Sequence, residues 1–393
     1  MIRSISIDNF KSLRNFRLDL DKVTCLVGLN GAGKSTVLQA LSFLTSAMLG
    51  QTTEWLHARK WKLAELQGAL PPVSANPQMT FSVVMDAPSG FLRWIGIFDV
   101  SKGPVRCVSE TVEQAPTADF ETSDTVRIWE QDGRAHRRPG QSEILIGHHF
   151  SGSVLGTLIE STIPAECIEL QRCVAGIRSL DLLSPSDMRL EAELNPAEPD
   201  VDIGERGERI AGYLHEMPEE LIQERLVNEL QKYFPNVVGL NLRHIGNNVF
   251  RLYVRERFAD TELEIPSTHC NDGLLRVLGL LTELQTGKGL YCFDEIENGI
   301  SIDVLDQLLK MLLNGSQQIL MTTHSVIALN YIPYENVRLL YRDRRGYTHS
   351  GLLSDIVSQR KYFEYYEPGD ALYFTSLTKV SNELADRESV VEN

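Results

Sequence analysis

The stretch "GLNGAGKST" at residues 28–36 constrains the chain more than any other part of it. It fits the pattern G-x-x-x-x-G-K-[ST], with Gly28, Gly33, Lys34 and Ser35 in the fixed places and Thr36 behind them. Glycines let the backbone curl so that successive N–H groups point inward. A helix starting at the lysine adds its positive dipole end to the same spot. The product is a cradle for phosphate, built from Asn30, Gly31, Ala32, Gly33, Lys34, Ser35 and Thr36. The β-branched, apolar run "KVTCLVG" precedes the loop, and "VLQALSFL" carries apolar residues at helical spacing after it. The strand, loop and helix context that separates such a cradle from an accidental match is therefore present.

A second feature sits far downstream. "GLYCFDEIENG" is an apolar strand ending in Asp294 and Glu295. An aspartate at the end of a buried strand beside a phosphate loop can hold Mg²⁺ together with the Ser35 hydroxyl. A glutamate one residue later faces the other way and can orient or deprotonate the attacking water. Next, "QQILMTTHS" is a strand ending at His324. In a parallel sheet that places the imidazole at the carboxyl edge, within reach of a γ-phosphate. Before the acidic strand, Asn271, Asp272 and Gly273 open an amphipathic helix. They read either as a plain helix cap or as a second phosphate-binding helix end acting on a partner subunit.

Composition sets the limits. With 393 residues the chain exceeds what one small core needs, so a large domain with insertions or two joined domains is expected. No segment is apolar for long enough to span a bilayer, and "MIRSISIDNF" lacks the apolar core of a secretory signal. A cytoplasmic protein without a membrane partner is expected. Six cysteines (Cys25, Cys107, Cys167, Cys173, Cys270, Cys292) are scattered without a C-x-x-C pair, which fits a reducing compartment and no structural metal. The adjacent His148 and His149 point in different directions and have no third ligand nearby in sequence, so they read as loop or partner surface.

The net charge of −15 opposes sequence-independent binding of nucleic acid by the whole surface. A local basic groove stays open as an alternative, at Arg134, Arg137 and Arg138, at Arg342, Arg344 and Arg345, or on the strand "VFRLYVRERF". On that strand Arg251, Tyr253, Arg255 and Arg257 share one face, opposite Phe250, Leu252, Val254 and Phe258. A solvated polar sheet face is the preferred reading.

The pattern along the chain predicts an α/β fold in three parts. Residues 1–143 carry the first strands, the phosphate loop, a helical stretch from about Thr45 to Leu70 and a further group of strands. Residues 144–234 read as a mainly helical insertion, in which Leu226, Leu230 and Phe234 recur on one face, interrupted by the loop "LNPAEPDVDIGERGER". In residues 235–393 strands return in "VVGLNLRHI" and "VFRLYVRERF", and the remainder from "DGLLRVLGLLTELQ" onward alternates helix and strand as a parallel sheet with covering helices should.

The order "NFKSL", "GLNGAGKST", "NDGLLR", "FDEIENGIS" and "TTHS" resembles the ABC-type ATPase heads of the RecF, SMC and OLD group, especially the stand-alone AAA-type proteins of bacterial anti-phage systems. The resemblance implies a P-loop NTPase with an ABC-ATPase head, a mixed sheet plus an antiparallel β lobe, and an inserted helical region. It also implies ATP and Mg²⁺ as cofactors. Asn271 to Gly273 then correspond to the ABC signature, Glu295 and His324 to the hydrolytic residues, and Ser35 and Asp294 to the metal-holding ones. Two copies would meet head to tail with ATP between the phosphate loop of one and Asn271 to Gly273 of the other. Asn271 stands where serine is usual, and Gly299 to Ser301 replace Leu-His-Pro, so slow hydrolysis is expected.

The function expected is a nucleotide-driven switch or scaffold for a separate effector such as a nuclease, in anti-phage defence, since no nuclease motif is found and little chain follows "TTHS". The alternative is a DNA-repair or chromosome-maintenance head that binds DNA directly. A transporter subunit and a small-molecule kinase fit less well.

Overall fold

The computed structural model describes residues 1–68, 78–101, 103–133, 135–138, 140, 142–145, 151–180, 184–193, 202–246, 249–285, 287, 289–356, 361–362 and 364–391. They form two compact units, residues 1–179 with 318–393, and residues 180–317. Arg134, His148, His149 and residues 194–201 of the Pro- and acid-rich loop lie outside the described residues.

The first unit opens with β1 (Ile2–Asp8), β2 (Phe16–Asp19) and β3 (Val23–Val27). β1 joins β2 to a meander of β4 (Gln78–Ala87), β5 (Gly90–Asp99), β6 (Arg106–Ala115), β7 (Val126–Asp132), β8 (Ala135–Arg137) and β9 (Ile144–Leu145). The eight strands make one antiparallel sheet, ordered β2-β1-β4-β5-β6-β7-β8-β9. Period-two patterning accounts for it: on β5, Leu92, Trp94 and Phe98 face the core while Arg93 turns the other way. Gly96 sits between them because a Cβ there would lie 2.4 Å from the Trp94 ring.

Three helices follow the same economy: α1 (Lys34–Met48), α2 (Thr52–Arg59) and α3 (Ala165–Ala175). The helical stretch expected over 45–70 is broken, because Gly50 takes φ +71 after α1, α2 stops at Arg59, and one 3₁₀ turn covers Leu63–Leu66. α1 is held by Phe43, whose ring meets Phe10 at 5.8 Å, Phe81 at 5.6 Å and Phe98 at 6.5 Å. Removing such a ring from a core costs about 3–5 kcal/mol. The helix that carries the phosphate loop is thus fastened to the antiparallel sheet.

After β10 (Arg178–Leu180) the chain enters the second unit through α4 (Pro185–Met188), β11 (Ala192–Glu193), α5 (Ile210–Glu216), α6 (Glu219–Leu221) and α7 (Asn228–Tyr233). Between α6 and α7 the helix widens to a π turn over Ile222–Val227. Leu226 and Leu230 are buried as the spacing predicts, but Tyr233 joins them in place of Phe234, which follows the helix end with φ −131. β12 (Val237–Gly246), β13 (Val249–Phe258) and β14 (Thr261–Pro266) form an antiparallel sheet with β11, β13 lying centrally. Leu252 and Val254 are buried on β13, while Phe258 at its end is exposed. The unit is completed by α8 (Asp272–Leu284), β15 (Leu290–Phe293) and α9 (Ile302–Asn314).

The chain then returns to the first unit as β16 (Gln318–Thr322), α10 (Val326–Asn330), β17 (Val337–Arg342), β18 (Thr348–Leu352), α11 (Pro368–Thr375) and α12 (Leu377–Val391). β3 lies between β16 and β17 and runs parallel to both, and β18 pairs antiparallel with β17. Every residue of β3 and β16 is buried, as central parallel strands require. Among the described residues no helix is long and apolar enough to cross a membrane.

Candidate functional site

The phosphate loop joins β3 to α1, and its shape follows from three glycines. Gly31 has φ +78 and Gly33 φ +111, conformations that side chains resist. Gly28 has a different reason: a Cβ there would lie 2.5 Å from the Leu340 carbonyl oxygen on β17. Gly33 is doubly constrained, since its Cβ would lie 2.4 Å from Thr348 Oγ1. α1 starts at Lys34, is capped by Gly33 without a side-chain hydrogen bond, and has no acidic residue in its first turn. No side chain of the cap competes for the N–H groups of that turn, and no carboxylate would repel an anion there. Lys34 is buried, with Nζ donating to the Gly28 carbonyl at 2.9 Å and to the Leu29 carbonyl at 3.4 Å. Asn30, Gly31 and Ser35 are exposed, Thr36 is half-buried and Ala32 is buried.

The same sheet edge carries His324. Leu26 stands opposite Thr322 in the β3–β16 ladder, and Thr323 N donates to the Leu26 carbonyl at 3.3 Å. The chain therefore leaves both strands side by side, and Gly28 and His324 line one cavity of about 320 Å³ with Thr323, Leu372 and Tyr373. Ser325 caps α10 directly after the histidine by accepting from Ala328 N at 3.2 Å.

The other candidate residues lie in the second unit. Asn271 caps α8, its Oδ1 accepting from Leu274 N at 2.7 Å, which leaves the amide N–H groups as its remaining side-chain donors. Asp272 pairs with Arg189 at 2.5 Å. Gly273 abuts the Gly299 carbonyl. Arg276, one turn along, has its guanidinium pKa lowered by burial, against the opposing pull of the Asp272 and Glu295 carboxylates. The start of α8 and the segment after β15 are thus packed together. Asp294 is half-buried at the end of β15. Glu295 is exposed and takes φ +47, a costly conformation for a residue with a side chain and one that clusters at functional sites.

These features suit a triphosphate. Among the described residues no group of three or more His, Cys, Asp or Glu could hold a metal ion by itself. Mg²⁺ needs no such cage, because it keeps several waters and binds through one or two protein oxygens plus phosphate.

Residues 105–330, more than half of the chain, match the family described as "AAA domain, putative AbiEii toxin, Type IV TA system". The chain belongs to this AAA family. Residues 1–66 of this AAA protein match the family described as "AAA ATPase domain". Its fold is that of solved SMC heads. It is 12% identical to an SMC head bound to the C-winged helix domain of ScpA, with a TM-score of 0.53 over 89% of this chain and 96% of that one. It is also 12% identical to an SMC head with an extended coiled coil bound to the C-terminal domain of ScpA derived from Pyrococcus furiosus, with a TM-score of 0.50 over 92% and 99%. No curated protein matches the sequence. The resemblance read from the motifs holds as far as an AAA ATPase with a mixed α/β fold like that of solved SMC heads.

The sequence has no motif that points to Thr348, yet its Oγ1 donates to the Ala32 carbonyl of the loop at 3.0 Å.

Proposed function

We propose that the protein binds and hydrolyses ATP at the phosphate loop and uses the nucleotide state to position a separate effector. The observation that supports this most is the juxtaposition of Gly28 and His324 around one cavity at the carboxyl edge of β3 and β16, with Lys34 buried behind the loop. In this reading residues 1–143 and 235–393 make the ATPase head, and 144–234 a helical insertion in it. The first-turn amides of α1 and the Lys34 ammonium neutralise the phosphates. Ser35 and Asp294 hold Mg²⁺, Glu295 orients the attacking water, and His324 reads the terminal phosphate.

Asn271 to Gly273 act on the nucleotide of a second copy, giving an ATP-bridged dimer. Anti-phage defence, with an effector such as a nuclease, is the context we favour. That one solved SMC head of this fold is bound to a winged helix domain of ScpA supports a protein partner as the output.

Direct DNA binding by a chromosome-maintenance head is the second reading, and the pairing of the β13 arginines weighs against it. Arg251 is paired with Glu191, Arg257 reaches Glu262 at 2.5 Å, and Arg255 lies 3.7 Å from the same carboxylate. Each of the three arginines thus has a carboxylate beside it, Arg255 and Arg257 sharing one.

Phosphate release by the purified protein, compared with Glu295→Gln, tests the proposal. Slow release by the wild type and loss of at least a hundredfold in the variant, with ATP still bound and the variant shifted to dimer by ATP, is expected. Equal release by both would refute the assignment.

A further inference from the structure

Thr348 begins β18, 316 residues from the phosphate loop, yet its Oγ1 donates to the Ala32 carbonyl at 3.0 Å. A threonine hydroxyl has one proton to give. The 2.8 Å contact between Ser12 Oγ and Thr348 Oγ1 must therefore run the other way, with Ser12 donating. Thr348 N in turn donates to the Ser12 carbonyl at 2.9 Å. Both side chains are buried, Thr348 completely. Thr348 also fills the space that a side chain on Gly33 would need, with its Cγ2 at 2.8 Å from that position.

The braced carbonyl belongs to the one residue between Gly31 and Gly33, the two positive-φ glycines that curl the loop. Without a brace, such a pair of glycines is the part of the loop with most conformational freedom to lose.

We infer that Ser12 and Thr348 are positioning residues for the phosphate loop, a two-hydroxyl latch that fixes the Ala32 carbonyl and so pre-sets the turn whose N–H groups meet the phosphates. The inference rests on the nucleotide-site reading above. Simple core packing would be served equally by valine at 348, which has the same shape and no hydroxyl. The latch needs the hydroxyl. Pre-setting the loop lowers the ordering cost of binding, so the effect falls on nucleotide affinity.

The test is MgATP titration of the full chain, as wild type, Thr348→Val, Thr348→Ser and Ser12→Ala, with amide hydrogen exchange of residues 29–36 followed on the same samples. Thr348→Val is expected to weaken MgATP binding about tenfold and to speed exchange in the loop, while Thr348→Ser stays within about twofold of wild type. Ser12→Ala is expected to shift affinity in the same direction by a smaller factor, and carries the test if Thr348→Val does not fold. Wild-type affinity and loop exchange in both Thr348→Val and Ser12→Ala, or equal losses in Thr348→Val and Thr348→Ser, would overturn the latch while leaving the nucleotide site standing. Failure of the wild type itself to bind MgATP would instead overturn the nucleotide-site reading on which the latch depends.

Discussion

Gly273 and Gly299 face one another so closely that a Cβ on Gly273 would lie 2.8 Å from the Gly299 carbonyl oxygen. The start of α8 and the segment following Glu295 are in close backbone contact there, with the Arg276 side chain beside Gly299. Gly273→Ala must push the two apart and is expected to cost about 1–3 kcal/mol in chemical denaturation, as overpacking does. Asn271→Ala loses only the cap, about 1 kcal/mol. If both variants matched wild-type stability, the contact would not be structural.

His324 leaves the sheet beside the phosphate loop, so its removal should affect turnover more than binding. His324→Ala is expected to lower kcat about a hundredfold with little change in KM, read from steady-state phosphate release. A rise in KM with kcat preserved would mean that the imidazole only binds.

Glu110, on β6, is fully buried, and its Oε2 accepts from the Val154 and Leu155 N–H groups at 2.9 Å each. Burial raises its pKa, against the lowering effect of those hydrogen bonds. A carboxyl with a raised folded pKa stabilises the fold below its unfolded value, and that stability is lost as pH rises through the folded value. Glu110→Gln keeps an accepting oxygen without the charge. Its Tm is expected to exceed that of wild type by a few degrees at pH 8, the gap closing toward pH 4. A gap that is constant with pH would contradict buried ionisation.

The arginines of β13 already have carboxylate partners. Fluorescence anisotropy with duplex DNA, over a salt series, should therefore give the same retention for wild type and for a triple Arg251→Ala, Arg255→Ala, Arg257→Ala variant. A tenfold loss in the variant, with a shallower salt slope, would favour the DNA-binding reading.

What could be read from the sequence was whatever depends on local chemistry. Gly31, Gly33 and Lys34 announce a curled loop and its cation because few other residues allow that backbone. The runs ending at Asp294 and His324 read as strand ends because a buried strand leaves no room for charge within it. Most of the antiparallel lobe was legible as strands, through alternations such as Leu92, Arg93, Trp94, though not in its order; the short β8 and β9 were not, and β9 fell where helix was expected.

Hidden from that reading was what depends on distant partners. Thr348 looks like any strand threonine until the Ala32 carbonyl is seen beside it. Glu110 has the sequence signature of a solvated strand residue, yet the chain at Val154 covers it. Tyr233 takes the buried place that four-residue spacing gives to Phe234, because i, i+4, i+7 fits the 3.6-residue period equally well and the helix ends before Phe234. The β13 arginines looked like a basic stripe because their glutamate partners Glu191 and Glu262 come from other segments.

If the loop between β3 and α1 grips a triphosphate, calorimetric titration of MgATP will separate the wild-type protein from Lys34→Ala. Saturable binding by the wild type at one site per chain, weakened at least a hundredfold in a folded Lys34→Ala, is the result expected. Equal affinity in the two proteins, or no binding by either, would contradict it.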